Sequence, residues 1–428
     1  MKKLLLGSLV VASLLCGDEA DDFLEGFDEQ SVDTAQILQD SKGGFNLKEY
    51  GFEGSLTQQI AYSYNNKAPH DNISSLRTSF FLEYNHDLWS NFKLKINMNS
   101  FYDFSYLAKG RDKFTQEELD ALEGEVELFD AYIEGSLSEN LDIKLGREAV
   151  VWGKSDTIQI VDVLNPMDNR RPAMVDIEDL RLTQTMAKFD YYLGSWHLSP
   201  IAILEQRGDK LPPYGGDFHP SPSKTTMPDK PNKITFALNA GASYSGFDID
   251  FYYADIYPNF SFYPRYLVDY RKKMQMYGTA MNYVVGSLLL KTEIAYKDNI
   301  AYLQYPNQTF ERVDALVGFE YNGIAETTIS FDIADKHFLE DSQLQKANYQ
   351  TALRVAHDMM HDSLHLNYLI NLLGKKFDEG GYQRVWAEYE ISDSVKSTLG
   401  IVDYFGGNSF FDAISNNDMF YCDISYSF

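Results

Sequence analysis

One stretch of the chain concentrates charged groups of opposite sign that could act together on a passing solute. Arg170 and Arg171 are followed closely by Asp176, Glu178 and Asp179. Cations and carboxylates that face each other across a narrow passage orient dipolar molecules and concentrate the electric field there. The same groups could instead pair with one another and pin a loop, because structural ion pairs cluster in the same way. Both interpretations stay open at this level.

Residues for covalent chemistry are not arranged in any recognisable pattern. The sequence contains no G-x-S-x-G motif, which would indicate a nucleophile elbow. Acidic residues number 63, so paired carboxylates occur throughout and no acid–base dyad stands out. We therefore predict a protein that is not an enzyme and has no catalytic residues. An enzyme ranks third among our hypotheses, after the two that the elements below support.

Three histidines recur at intervals of four residues, at His357, His361 and His365. On a helix this spacing would place three metal ligands on one face. Here the three residues straddle a predicted hairpin, and the sequence has no H-E-x-x-H motif. We therefore interpret these histidines as structural or solvent-exposed, and we predict neither a metal site nor a cofactor.

The elements that must position the charged groups have the pattern of β-strands. From Leu47 onwards, segments of about a dozen residues alternate apolar and polar side chains, which is the two-residue period of a strand. Helical periodicity is restricted to loop pieces, such as the capping box that Thr115 and Glu118 form at the start of residues 115–123.

Short and long connections alternate between these segments. Eight short and nine long connections predict about 18 strands. Short periplasmic turns and longer extracellular loops are typical of outer-membrane barrels. We therefore predict an all-β fold, a transmembrane antiparallel β-barrel over residues 45–428, with both termini in the periplasm.

The alternation places one set of charged residues on the inner face of this barrel. The inward-facing residues predicted to line the pore are Arg312, Asp314, Glu320, Arg384, Glu388 and Glu390. A barrel of this size has a lumen too wide for wall side chains to fill. We therefore predict that residues 153–179 fold inward, so that Arg170 or Arg171 faces Asp314, Glu320, Glu388 or Glu390. The surplus of carboxylates predicts a preference for cations or neutral solutes over anions.

The end of the chain also indicates a closed barrel. Phe420, Cys422, Ile424, Tyr426 and Phe428 fall on one face of a strand and alternate with mostly polar residues. A closed barrel ends in this way because its last strand must pair with its first. The ending resembles the sorting signal that barrel-insertion machinery reads in bacterial outer-membrane proteins, with Phe428 as the terminal residue of that signal.

The run from Leu145 to Pro172 carries a second resemblance. It contains G-R near the end of a strand, then W-G, then an N-P-x-D element. In this form it resembles the signature of a large, largely uncharacterised family of Gram-negative outer-membrane porin-like barrels. The residues that carry the resemblance are Gly146, Arg147, Trp152, Gly153, Asp156, Asn165, Pro166 and Asp168. The resemblance implies an 18-stranded or similar barrel with a structured loop, and it implies no particular solute.

The first 44 residues have a different composition from the rest. Lys2 and Lys3 precede an apolar run of about a dozen residues, which predicts a signal peptide over residues 1–17. Leu15 is not the small residue that a lipidated Cys16 would need before it, so we do not predict a lipoprotein. Residues 18–44 are acidic and poor in apolar side chains, which predicts a flexible periplasmic segment. A plug of the lumen and a short docking segment are the alternatives.

The formal net charge of −26 argues against nucleic acid as a partner. The predicted partners are outer-membrane lipid and lipopolysaccharide, the barrel-assembly machinery, and a periplasmic protein if the acidic segment docks one. Our first hypothesis is a porin-like channel for small solutes in the bacterial outer membrane. The alternative is a non-conducting accessory barrel of an envelope export system that docks a periplasmic partner through its acidic N-terminal segment.

Overall fold

Eighteen antiparallel strands in the described residues each pair with two neighbours, and the last strand pairs with the first. The computed structural model describes residues 50–89, 91–224, 227–259, 267–340 and 344–428. The chain divides into two units, Met1–Gly51 and Phe52–Phe428, and every strand belongs to the second. The predicted signal peptide and acidic segment lie outside the described residues and stay predictions. The sheet is therefore a closed 18-stranded β-barrel, as predicted.

The strands are β1 (Phe52–Ser63), β2 (Asn72–Trp89), β3 (Phe92–Asp103), β4 (Gly124–Ser138), β5 (Leu141–Glu148), β6 (Gln184–Leu193), β7 (Trp196–Ile203), β8 (Thr235–Tyr244), β9 (Phe247–Ile256), β10 (Met274–Val285), β11 (Leu288–Ala301), β12 (Thr309–Ile324), β13 (Thr327–Phe338), β14 (Ala347–Met359), β15 (Leu364–Leu373), β16 (Gly381–Ser392), β17 (Val395–Phe405) and β18 (Met419–Ser427). The described helices are α1 (Ser105–Lys109), α2 (Gln116–Leu122), α3 (Ile177–Leu180) and α4 (Ser409–Ile414), with a 3₁₀ turn at Arg111–Lys113. No helix in these described ranges is both long and apolar enough to cross a membrane.

The connections alternate in length as the sequence predicts. Eight of them contain two or four residues, and the other nine contain between 7 and 35 residues. Several two-residue turns contain a glycine with positive φ, such as Gly194 at +60° and Gly286 at +61°. Turns of this kind match the twist of the strands they join. The longest connection, residues 149–183, joins β5 to β6.

The two faces of each strand differ in exposure, because successive side chains point to opposite sides of a sheet. On β12, Val317 is 60% exposed and Asp314 is fully buried. On β16, Val385 is 49% exposed and Arg384 only 3%. These two strands therefore expose apolar residues on one face and bury charged residues on the other.

The short loop helix predicted over residues 115–123 is present as α2. The Thr115 hydroxyl accepts a hydrogen bond from the Glu118 backbone N–H at 3.2 Å. The Glu118 carboxylate lies 2.8 Å from His70 Nε2 in the connection between β1 and β2. Glu118 therefore ties a second loop to the helix.

The terminal residue extends the pairing of β1 with β18 at the seam of the barrel. Phe428 N–H donates to the Gly54 carbonyl at 3.0 Å, and Gly54 N–H donates to the Phe428 carbonyl at 3.1 Å. A Cβ on residue 54 would lie 2.6 Å from the Phe428 ring, so only glycine fits beside it. The ring also stacks on Phe80 and Tyr426. These contacts join the two ends of the sheet.

Replacing Phe428 should disturb assembly more than the size of one side chain suggests. We expect Phe428→Asp to lower the amount of protein in the outer-membrane fraction, because the charge removes the aromatic seam contacts and the predicted sorting signal. Immunoblots of fractionated cells would measure this, with Phe428→Tyr as the control that keeps the ring. Wild-type membrane levels of Phe428→Asp would contradict the prediction.

Candidate functional site

Residues 149–183, here called the crossing segment, lie across the interior of the barrel. Arg170 pairs with Glu125 on β4 at 2.8 Å, whereas Ser155 and Thr157 donate to Asp332 on β13 at 2.8 and 2.6 Å. Strands β4 and β13 are half a turn apart in the ring of strands. A segment bonded to both therefore spans the lumen from wall to wall.

A buried carboxylate holds the start of the crossing segment. Glu293 on β11 is 2% exposed and accepts hydrogen bonds from the backbone N–H groups of Lys154 at 2.5 Å and Ser155 at 2.9 Å. A third, longer bond comes from the Val161 N–H at 3.4 Å. Gly153 has φ of +95°, and a Cβ there would lie 2.8 Å from the Glu293 carboxylate. This explains why glycine follows Trp152 in the W-G pair.

The same region has two further polar anchors. Lys154 Nζ lies 2.8 Å from the Asp250 carboxylate on β9, and Asp156 lies 3.4 Å from Lys291 on β11. Trp152 is buried and packs on the Tyr252 ring at 4.8 Å between ring centres. The beginning of the crossing segment is thus attached to β9, β11 and β13.

An apolar core forms inside the barrel between the crossing segment and the wall. Its members from the segment include Ile158, Ile160, Val161 and Leu164, and they pack in one cluster with residues of β6 to β14. Several of the inward wall positions that receive them are alanines, beside larger residues such as Ile201 and Met276. The alanines include Ala237, Ala254, Ala280, Ala295, Ala334 and Ala352. This core was not predicted, and the run of inward alanines is the signal that could have revealed it.

The N-P-x-D element organises the middle of the segment. Asn165 donates from its amide to the Val150 carbonyl at 2.6 Å and accepts from the Val150 N–H at 3.1 Å, which closes a loop. Asp168 accepts hydrogen bonds from the Arg170 guanidinium, from Nε at 2.9 and 3.1 Å and from Nη2 at 2.5 Å. Burial acts to raise the pKa of Asp168, but the hydrogen bonds and charge of Arg170 outweigh it and leave the pKa lowered. Asp168 is therefore an ionised partner of Arg170.

The two arginines do not meet the carboxylates that were predicted for them. Arg170 bonds to Asp168 and Glu125, and Arg171 lies 3.3 Å from the buried Asp103 on β3. The predicted partners pair locally instead. Asp314 bonds to Lys297 and Arg312, Glu320 lies 3.5 Å from Lys291, Glu388 pairs with Lys396, and Glu390 is exposed. The pairs predicted for Arg170 and Arg171 were wrong. Cations on the same strand or on an adjacent strand lie closer to three of these four wall carboxylates and pair with them.

A different pair of predicted residues does meet. Asp176 of the crossing segment bonds to Arg384 on β16 and lies 3.0 Å from Arg354 on β14. The Pro172 carbonyl accepts a hydrogen bond from the Tyr404 hydroxyl on β17 at 2.5 Å. Glu178 and Asp179, in α3, are exposed. A loop carboxylate and two wall cations therefore fix the end of the segment.

The remaining predicted residues occupy the ends of β5 and of β14 and β15. Gly146 has φ of +137° and lies against the backbone of β4, where a Cβ would come within 2.2 Å of the Ala131 carbonyl. Arg147 pairs with Glu205 at 2.5 Å. His357 and His365 contact Thr327 and Asp358. No group of residues in the described part of the chain is suited to hold a metal ion.

A closed antiparallel barrel of this size, with short turns at one end and long connections at the other, is the architecture of outer-membrane β-barrel proteins. Residues 57–343 match the family described as "Protein of unknown function (DUF1302)", and the chain belongs to this family. That the run from Leu145 to Pro172 is a signature of this family stays a prediction.

Several solved structures resemble the barrel. OccK8 (OprE) of Pseudomonas aeruginosa is 11% identical, with 88% of this chain and 97% of that chain covered and a TM-score of 0.53. The outer membrane protein OpdK of Pseudomonas aeruginosa is 10% identical, with 88% and 98% covered and a TM-score of 0.52. OccAB3 of Acinetobacter baumannii is 10% identical, with the same coverage and a TM-score of 0.51. No curated protein matches the chain. These likenesses concern the fold.

Removing the Glu293 carboxylate should loosen the crossing segment. Hydrogen bonds to charged groups contribute about 1.5–3 kcal/mol each, and Glu293→Ala would leave buried N–H groups without an acceptor. We expect faster hydrogen exchange at Lys154 and Ser155 while the strands stay protected. The control is Glu390→Ala, which removes an exposed wall carboxylate. Equal exchange in both variants would contradict the assignment of Glu293 as the anchor.

Proposed function

We propose that this protein is an outer-membrane channel for small solutes, in which the crossing segment narrows the lumen. The observation that carries the proposal is the attachment of residues 149–183 to opposite walls, at Glu125 and Asp332. Wall side chains alone cannot fill the lumen of an 18-stranded barrel. The solute path must therefore pass beside the segment, which acts as the constriction.

The charges beside this path support a weaker preference than the composition suggests. Asp314, Glu320 and Glu388 each pair with a cation, so they add little net field. Asp156 also pairs with Lys291, so the exposed carboxylates of the segment that remain are Glu178 and Asp179. We propose that they give small ions a mild preference for cations, and that the preference fades at high salt because screening lengths fall to ~3 Å at molar ionic strength.

One observation favours a second candidate. The apolar core between the crossing segment and β6 to β14 fills part of the lumen with side chains such as Ile160 and Met186, which are fully buried. A barrel whose remaining space is also closed would not conduct. It would then fit the alternative of an accessory barrel in an envelope export system, docking a periplasmic partner through residues 18–44.

Conductance in planar bilayers tests both candidates. We expect the purified protein to conduct, with a reversal potential across a salt gradient that indicates cation preference. Asp176→Asn should shift this potential towards anions, because it leaves Arg384 and Arg354 without their carboxylate. Asp393→Asn makes the same charge change in the exposed turn between β16 and β17 and serves as the control.

Three results would count against the channel as described. Clear anion selectivity of the native protein would contradict the proposed preference. An Asp176→Asn variant that behaves like Asp393→Asn would contradict the expectation that the charges of Asp176, Arg384 and Arg354 act on the passing ions. An absence of conductance, in protein that fractionates with the outer membrane, would favour the accessory barrel.

A further inference from the structure

A cavity of about 200 Å³ lies between the crossing segment and the wall, at the end of the barrel that carries the long connections. The segment contributes Val163 and Met167 to its lining, and the wall contributes Met274, Phe338 and Leu373. Apolar side chains therefore form about half of the lining, and amides, hydroxyls and the carboxylates of Asp162 and Glu379 contribute to the rest. Asp162 is paired with Arg181 at 2.8 Å.

One side of the cavity is cationic. Lys297, Arg312 and Lys336 line it from the neighbouring strands β11, β12 and β13. They surround the single carboxylate of Asp314, which is fully buried and lies 2.7 Å from Lys297 Nζ and 2.6 Å from Arg312 Nε. Three cations share one anion, so this wall has a local surplus of positive charge.

Lys336 is the cation that this cluster leaves uncompensated. Its Nζ lies 3.4 Å from the Gln350 amide oxygen, and no carboxylate in the described residues lies within ion-pair distance of it. Taking an ammonium group out of water is costly unless an anion or several hydrogen bonds replace the hydration. A ligand anion that reached Lys336 would supply that compensation and would also find Arg312 beside it.

We propose that this cavity binds an amphipathic monoanion, with its anionic head group at Lys336 and Arg312 and its apolar body against Met274, Phe338 and Leu373. The distribution of charge carries the inference, because a neutral apolar molecule would leave Lys336 uncompensated and a small inorganic anion would leave the apolar wall unused. At about 30 Å³ for each water-sized group, the cavity holds roughly seven such groups. A body of about six carbons therefore fits.

The site is local, and it differs from the mild preference for small cations proposed for the open path. It rests on the proposed function only if the ligand is also a solute that the channel carries. Binding at equilibrium does not require conduction. If the protein binds the anion but does not conduct, the channel is refuted and the anion site stands. If it conducts but does not bind the anion, the anion site is refuted and the channel stands.

Calorimetric titration of the protein in lipid nanodiscs tests the site with probes that share one chain length. We expect hexanoate and hexanesulfonate to bind, and hexanol, hexylamine and acetate to bind at least ~10-fold more weakly, a difference of about 1.4 kcal/mol. Hexanesulfonate stays charged at any usable pH, so it separates the effect of charge from that of protonation. Hexanol binding as tightly as hexanoate would overturn the proposal.

Variants of Lys336 locate the head group. Lys336→Gln and Lys336→Met should each weaken hexanoate binding about 10-fold and leave hexanol binding unchanged. Both remove a half-buried cation that has no carboxylate within ion-pair distance, so neither should impair folding. Lys233→Gln, at an exposed loop lysine, is the matched control. Hexanoate affinity that is unchanged in both Lys336 variants would overturn the assignment.

Discussion

Buried carboxylates on the barrel wall hold irregular backbone inside the lumen, and the rest of the interior depends on them. Non-helical chain cut off from water needs partners for its N–H groups, because each unpaired group costs free energy. Glu293 supplies such partners at the start of the crossing segment. Asp332 receives two hydroxyl groups, and Asp103 receives Arg171 near the other end. At these three positions the wall provides the acceptors and the segment provides the donors.

Apolar packing and charge act on different sides of the same segment. Ile158, Ile160 and Val161 pack on a wall that includes several alanines, whereas Arg170, Arg171 and Asp176 bond to the charged wall of β3, β4, β14 and β16. The two kinds of contact respond differently to conditions, because screening by salt weakens exposed charge pairs and leaves apolar burial in place. Both kinds of contact therefore fix the segment, and we expect salt to weaken only the charge pairs that are exposed to solvent.

The strand number was predictable from the sequence because the alternation of apolar and polar residues is visible within each strand. The length of each connection is visible in the same way. The inward position of Arg384 followed from the same alternation. The partners of Arg170 and Arg171 did not follow, because 63 acidic residues offer many candidates and only the register of neighbouring strands decides among them. Glu293 was missed for a related reason, since its role depends on backbone N–H groups that are distant along the chain.

The contacts of the crossing segment also have a consequence for the order in which the molecule can form. Its partners come from strands on both sides of it in the sequence, from Asp103 on β3 to Tyr404 on β17. Contacts between residues so far apart along the chain are late events, because the intervening loop must be closed first. Until β6 to β14 are in place, Ile158 and Ile160 have no complete wall to cover them. The crossing segment therefore exposes apolar side chains while the barrel is still forming. Pairing of β18 with β1 is also the step that closes the wall around them.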